Sequence, residues 1–388
     1  MLFTLKHFDT PLLTFSANPQ SSDPEYRIVR QFQENAHLLP LGMEVTEHGL
    51  EQWLRHRTIP RNRAYVDALL SKTGLSINRP LGIIIVCKGL SLNDCYWVDA
   101  EGSGDTYAKV NWYDNRFSRE LAWIAFTGYG SSNVRTSLAS CPEFTTNGAL
   151  PKCWRRIQGK IYLYKGGSVG ASNAGFEPYS ELYAWQIAKA MGIHAVPYTL
   201  TKDLNKTLCS KCELFTSKEQ SFVSVGALVH SNSMKDVWEY YSRLGPAFTD
   251  ALADMLVFDA VICNTDRHYG NFGVLVDNAT NTITAPAPLF DHGNSLFNWA
   301  GLDVWENQKN LECYAATQLP RVYDDFFAAA QMVMQPRHRA MLRKLLDFRF
   351  DRRATRYNLP PQRLKMLEKE VQRRARLLLA KYESHIES

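Results

Sequence analysis

The chain has 388 residues, 45% of them hydrophobic, and a net charge of +5. That length suits two or three domains with ordinary cores. No run of eighteen apolar residues occurs, which excludes a helix that spans a membrane, and residues 1–17 lack the charged-then-apolar order of a secretory leader. The expected location is therefore the cytoplasm. Charge is uneven: residues 336–381 carry fifteen lysines and arginines against four acids, a net of +11 that leaves −6 for the rest. A basic end of this kind suits an acidic partner or nucleic acid, but Leu364, Leu367, Val371 and Leu378 form one apolar stripe there. Lys365, Lys369, Arg373 and Arg374 fall largely off it, so a solvated helix face is the favoured reading.

Residues 1–40 are weakly patterned. Residues 44–72 read as two helices carrying Leu50, Trp53 and Leu54, then Tyr65, Val66, Leu69 and Leu70, with a break at Thr58-Ile59-Pro60. Arg55, Arg57, Arg61 and Arg63 cluster here and read as surface charge rather than a nucleic-acid reader. Residues 81–87 suit a buried strand or a short helix, 105–113 a strand, and 117–127 a helix starting near Ser118.

Residues 144–152 form a small-residue turn between extended segments, and such a turn lays backbone N–H groups over phosphates. In the strand that follows, Ile161, Leu163 and Lys165 share a face. A lysine on an inward face is costly unless it is paired or bound to an anion. A helix then runs from Pro178 in its first turn to Gly192 past its end, with Glu181 flanking the stripe of Leu182, Trp185 and Ala188. Glu181 follows Lys165 by sixteen residues. The two suit the ion pair that positions ATP phosphates, against the plainer reading of a glutamate favoured by the helix dipole.

Residues 194–201, 207–216 and 220–229 read as strands, and backbone groups around Glu213 and Phe215 would sit where a sheet hands over to helices. Cys209 and Cys212 are the one CxxC among eight cysteines. No second pair stands at zinc spacing, so they read as two reduced thiols at a strand edge. Residues 234–264 are mostly helical, with 249–262 periodic and Thr249 as its N-cap.

The chemistry concentrates after that helix. Asp266 and Asn271 stand five residues apart in a loop, and Asp291 comes twenty residues later, beyond two extended runs joined by turn residues 277–282. A hairpin there returns Asp291 towards Asn271. Phosphoryl transfer needs such a set: one carboxylate to orient and deprotonate a hydroxyl, and an amide oxygen with a second carboxylate to hold magnesium. The alternative is a polar loop whose Asp and Asn cap backbone groups.

In this order the motifs resemble those of the HipA-like serine/threonine kinases, over about residues 140–300. The resemblance implies an α+β, two-lobed protein-kinase-like fold: an accessory region at 1–100, a β-rich N-lobe at 101–216 and a helical C-lobe at 217–388. It implies ATP and Mg2+ as cofactors and a protein serine or threonine as acceptor. Lys165 would bind ATP phosphates beneath a loop containing Thr146 and Gly148, with Glu181 as the helix glutamate. Glu213 and Phe215 would offer backbone hydrogen bonds to adenine. Asp266 would act on the acceptor hydroxyl, Asn271 and Asp291 would bind the metal, and His268 would support the loop. Thr145, or Thr146, falls near the autophosphorylated serine of that family. An antitoxin or DNA-binding partner is the family expectation. Asp266-Arg267-His268 and Asp291-His292-Gly293 also resemble phosphatidylinositol kinases, which would change the acceptor only. A kinase-like module that binds nucleic acid without catalysis is the third reading.

Overall fold

The computed structural model describes residues 1–130, 140–231 and 233–386. In chain order they form β1 (Leu2–His7), β2 (Thr10–Ser16), β3 (Arg27–Gln31), α1 (Glu47–Arg55), α2 (Val66–Thr73), α3 (Pro80–Cys87), β4 (Tyr96–Ala100), α4 (Tyr107–Val110), α5 (Arg119–Thr127), β5 (Lys152–Ile157) and β6 (Lys160–Gly166). There follow α6 (Glu177–Met191), β7 (Tyr198–Thr201), β8 (Cys209–Glu213), β9 (Gln220–Ser224), α7 (Val225–Leu228), α8 (Met234–Leu244), α9 (Pro246–Ile262), β10 (Gly273–Asp277) and β11 (Thr282–Pro286). The last helices are α10 (Gln308–Ala316), α11 (Phe326–Val333), α12 (Pro336–Arg343) and α13 (Pro361–Ile386). Two compact units divide the chain. One comprises Met1–Lys165, Glu213–Val223 and Leu275–Thr284; the other comprises Gly166–Cys212, Ser224–Val274 and Ala285–Ser388.

The first unit begins with an antiparallel sheet in the order β3-β2-β1-β4. Its strands lie in the stretch that reads as weakly patterned. Phe3, Leu5 and His7 do alternate inwards along β1, but the run is short and its register with β2 shifts between Leu5 and Lys6. Phe3 and Phe15 pack against Leu50, Leu54, Leu81 and Ile84, so α1 and α3 share one core with the sheet. A second core joins Leu69, Ile83, Trp97, Leu121, Phe144 and Ile161.

Of the two readings of residues 81–87 the short helix is the one formed, α3, with Pro80 in its first turn and Leu81, Ile83, Ile84 and Cys87 buried. Other expectations need correction. Residues 105–113 hold no strand; α4 ends where the Asn111 amide donates back to Tyr107 O at 2.9 Å. The arginine cluster is not all surface charge. Arg57 is buried, forked onto Asp94 at 2.9 and 2.7 Å and laid over the Trp53 ring. Arg63 is buried as well.

In the second unit α9 is buried nearly all round, as its near-continuous apolar sequence dictates, and it packs against α8, α11 and α13. It starts at Pro246 rather than at Thr249. Pro fits the first turn, and the Thr249 hydroxyl donates to Pro246 O at 3.0 Å inside the helix. β9 stops at Ser224, and 225–228 turn into α7. Along α13 Lys365 and Lys369 are exposed as expected, but Arg374 is buried, donating to Ala260 O at 2.6 Å beside the Phe327 ring. Cys209 and Cys212 are buried thiols on β8. Among the described residues no helix is long and apolar enough to cross a membrane.

Candidate phosphoryl-transfer site

The helix α9 ends because Cys263 takes left-handed backbone, φ 54°. Its N–H and that of Asn264 both donate to Asp259 O, which turns the chain into the loop of Asp266. Asp259 and Arg267 are both fully buried and meet through two hydrogen bonds. The same guanidinium donates to Asn271 O at 3.2 Å and to Phe290 O at 2.7 Å, and it contacts His292 Nδ1 at 3.2 Å. One cation thus ties the helix end, the far side of the loop and the residue before Asp291. Burial works against that charge, but Asp259 outweighs it and holds the Arg267 pKa above its ordinary value.

Within the loop Asn271 is buried. Its N–H donates to His268 O at 2.8 Å, and its Nδ2 to Asp266 O at 3.4 Å. His268 Nδ1 accepts from Gly270 N–H at 3.1 Å. Burial lowers the His268 pKa, with Asp266 opposing, so the ring is neutral near pH 7.

Asp291 also sits in left-handed backbone, φ 58°, and its N–H donates to the Tyr198 hydroxyl at 3.2 Å. The next N–H, of His292, donates to Glu181 Oε2 at 2.7 Å. Glu181 is fully buried on α6, whose Pro178 start and Gly192 end lie where the sequence puts them. Ser180 of the same helix donates its hydroxyl to Ser295 O at 2.8 Å. So α6 shapes the Asp291 segment by accepting from and donating to its backbone. Burial pushes the Tyr198 phenol well above its usual range, with Glu181 adding to the effect, so the hydroxyl stays protonated.

Asp266 itself is half-buried. Its Oδ2 accepts from Asn294 Nδ2 at 3.1 Å, and its Oδ1 pairs with Arg321. Within the second unit hydrogen bonds thus join Asp266, Asn271 and Glu181 through Arg267, Phe290 and His292, the last two being the residues on either side of Asp291. Asn271 and Asp291 supply an amide oxygen and a carboxylate. These are hard donors of the type Mg2+ takes while keeping water and phosphate oxygens in its remaining positions.

The first unit holds the other sequence candidates. Lys165 is buried at the end of β6 and lies directly across the β5–β6 hairpin from Lys152, also buried. Directly opposed residues share a face of the hairpin, with Cβ atoms about 5 Å apart. Lys152 Nζ donates to Asn147 O at 2.7 Å. Gly148 has φ 92°, which favours glycine, and a Cβ there would meet Lys152 Nζ. Beneath this loop Arg63 donates to Thr146 O at 3.3 Å, Gly148 O at 3.5 Å and Lys152 O at 2.5 Å. Burial pulls its pKa down to about 10, with Glu143 opposing.

Thr145 is buried with its hydroxyl turned to Pro142 O at 3.4 Å. The Thr146 hydroxyl donates to the same carbonyl at 2.7 Å and accepts from Trp154 Nε1 at 2.9 Å. Glu213 is exposed, its side chain on Lys160 at 2.9 Å. Leu214 N–H donates to Ile161 O, and Phe215 stands edge-on to Phe222.

Asp259, Tyr198, Asn294, Arg321, Arg63 and Lys152 are not among the sequence candidates. Only Asp259 had a signal, being an acid inside an apolar helical stripe with Arg267 eight residues on.

No family model and no curated protein matches the sequence. Among solved structures the chain is similar to one of the Shewanella oneidensis MR-1 toxin–antitoxin complex of HipA, HipB and operator DNA. The TM-score is 0.51 at 12% identity, over 97% of each chain. It is also similar to the Helicobacter pylori proinflammatory kinase CtkA, at TM-score 0.48 and 17% identity, over 62% of this chain and 93% of that one. The match along nearly the whole length carries the fold: mixed α and β, like that of HipA, the family whose motifs the sequence resembles.

Proposed function

We propose that this chain is an ATP- and Mg2+-dependent serine/threonine protein kinase. The observation that carries the reading is the single buried guanidinium of Arg267. It holds the carbonyls of Asn271 and of Phe290, next to Asp291, on one end of α9, in the loop that bears Asp266. A loop that merely capped backbone groups would need no such buried cation.

In this reaction the acceptor oxygen attacks the γ-phosphorus, the bond from that phosphorus to the ADP oxygen breaks, and the hydroxyl proton passes to the Asp266 carboxylate. Asn271 and Asp291 would hold Mg2+, which offsets phosphate charge when bound. Lys165 would hold the ATP phosphates and stabilise charge on the transferring group, under the loop of Thr146 and Gly148. Glu181 would keep the Asp291 segment in place, and backbone groups at Glu213 and Phe215 would meet adenine. An antitoxin or DNA-binding partner belongs to the same proposal, the similar structure being a toxin–antitoxin complex of HipA, HipB and operator DNA.

The test is incubation with labelled ATP and Mg2+, beside a protein mixture and beside phosphoinositide vesicles. Label in protein, lost in Asp266→Ala and Asp291→Ala variants that remain folded, supports the reading. Label in lipid alone makes the chain a lipid kinase, and no label in either removes catalysis.

A further inference from the structure

Both oxygens of the Asp266 carboxylate are engaged, by partners held with unequal firmness. Asn294 is fixed. Its Oδ1 accepts from Trp299 Nε1 at 3.0 Å and Asn298 Nδ2 at 3.2 Å, and its carbonyl accepts both the N–H and the hydroxyl of Thr265. Arg321 stands on the irregular segment between α10 and α11, with 56% of its side chain exposed. An exposed ion pair of this type contributes little to stability and exchanges partners readily. A hydroxyl that is to be deprotonated needs a place on Asp266, and Arg321 is the partner that yields it.

Arg321 also lines an open recess of about 620 Å³ with His268, Tyr269, Leu319 and Tyr323. The hydroxyls of Tyr269 and Tyr323 are shielded and have no hydrogen-bond partner among the described residues, and Leu319 is exposed. The recess therefore offers apolar surface and one exchangeable cation beside the loop of Asp266. Asp324 on the same rim carries the opposite sign, which disfavours an acid anywhere but at Arg321.

We propose that Arg321 is a specificity-determining residue that reads an acidic side chain next to the acceptor hydroxyl and, in moving onto it, uncovers Asp266. The proposal rests on the kinase reading and adds the substrate class: an acidic protein segment. Arg321 reaches Asp266 through one nitrogen, whereas a free carboxylate can take the guanidinium fork with two parallel bonds. An acidic acceptor thus exchanges one ion pair for a better one. A neutral acceptor must break the existing pair with no replacement.

The experiment uses the full chain, ATP, Mg2+ and three matched serine/threonine peptides, flanked by Asp and Glu, by Asn and Gln, or by Lys. The wild type should favour the acidic peptide in kcat/KM by about tenfold, the scale of one charge-assisted hydrogen bond. In Arg321→Ala the ratio should fall to about one, with the neutral peptide phosphorylated faster than by the wild type. Arg321→Glu should prefer a Lys-flanked peptide. Arg321 is exposed, so all variants should melt with the wild type. Equal rates on the acidic and neutral peptides in the wild type, or an unchanged ratio in Arg321→Ala, overturn the role of Arg321 and leave the kinase reading standing. A wild type that labels no peptide and no protein overturns both.

Discussion

Arg267 and Asp259 meet through two parallel hydrogen bonds, Nε to Oδ2 at 2.9 Å and Nη2 to Oδ1 at 3.0 Å, with neither side chain exposed. The pair differs in kind from Arg321–Asp266, which lies partly in water. A buried forked pair is structural, because breaking it strands a charge; an exposed one exchanges partners at little cost.

Removing one partner of the buried pair should therefore be severe. Arg267→Ala is expected to lose about 3–5 kcal/mol of stability, since Asp259 is left charged and dry. Arg267→Met combined with Asp259→Leu should recover much of that stability while leaving phosphorylation absent, because no group then holds the Asn271 and Phe290 carbonyls. Urea denaturation beside a labelling assay reads both quantities. A double variant with full activity would remove the positioning role assigned to Arg267.

Asp266→Asn keeps the shape of a half-exposed side chain and removes its charge. Its rate is expected to fall by roughly 10²–10⁴-fold, the usual worth of a general base, with little change in melting temperature. Single-turnover kinetics measures this without interference from product release.

Lys165→Met should abolish the stabilisation that ATP and Mg2+ confer, which for a wild type at a hundredfold excess over Kd is about 2.7 kcal/mol. Gly148→Ala should act on the same loop from the other side. Its Cβ would meet Lys152 Nζ and its positive φ penalises any side chain, so a higher KM for ATP is expected. Thermal shift with and without nucleotide checks the first, and initial-rate kinetics the second.

Glu181→Gln retains an oxygen for the His292 N–H and should stay folded. Glu181→Leu leaves that buried N–H without its acceptor and should cost about 1–3 kcal/mol. Equal melting temperatures for the two variants would show that the contact contributes nothing to stability.

His7 is buried between the Phe8 and Tyr96 rings, and burial lowers its pKa from 6.5 to about 4, against the pull of Asp94. The unfolded chain then binds the proton more readily than the folded one. The contribution is present in full above pH 6.5 and is lost as pH falls from there towards 4, by at most about 3 kcal/mol. His7→Gln should flatten stability against pH in that window, measured by denaturant midpoints.

Local signals carried far in this chain. Pro178 and Gly192 bound α6, and Ser118 caps α5 by accepting the Leu121 N–H at 3.2 Å. The turn residues after Asp277 form the hairpin that separates Asn271 from Asp291. The N-terminal sheet escaped because its strands are five to seven residues long and its register slips at a bulge, so alternation never builds into a clear period. Arg57, Arg63 and Arg374 read as surface charge because composition does not say which cations have a partner waiting in the interior.

Sequence alone determined the chemistry on offer: an Asp–Asn pair at a spacing of five, a second Asp beyond a hairpin, and a lysine on an inward strand face. These are readable because turn residues, strand alternation and helix periodicity act over a few positions. Tertiary structure decided which groups govern that chemistry. Arg267 gathers carbonyls up to 23 residues away, and Arg321 reaches Asp266 across 55, because a buried or half-buried charge takes whatever complementary partner folding brings within reach.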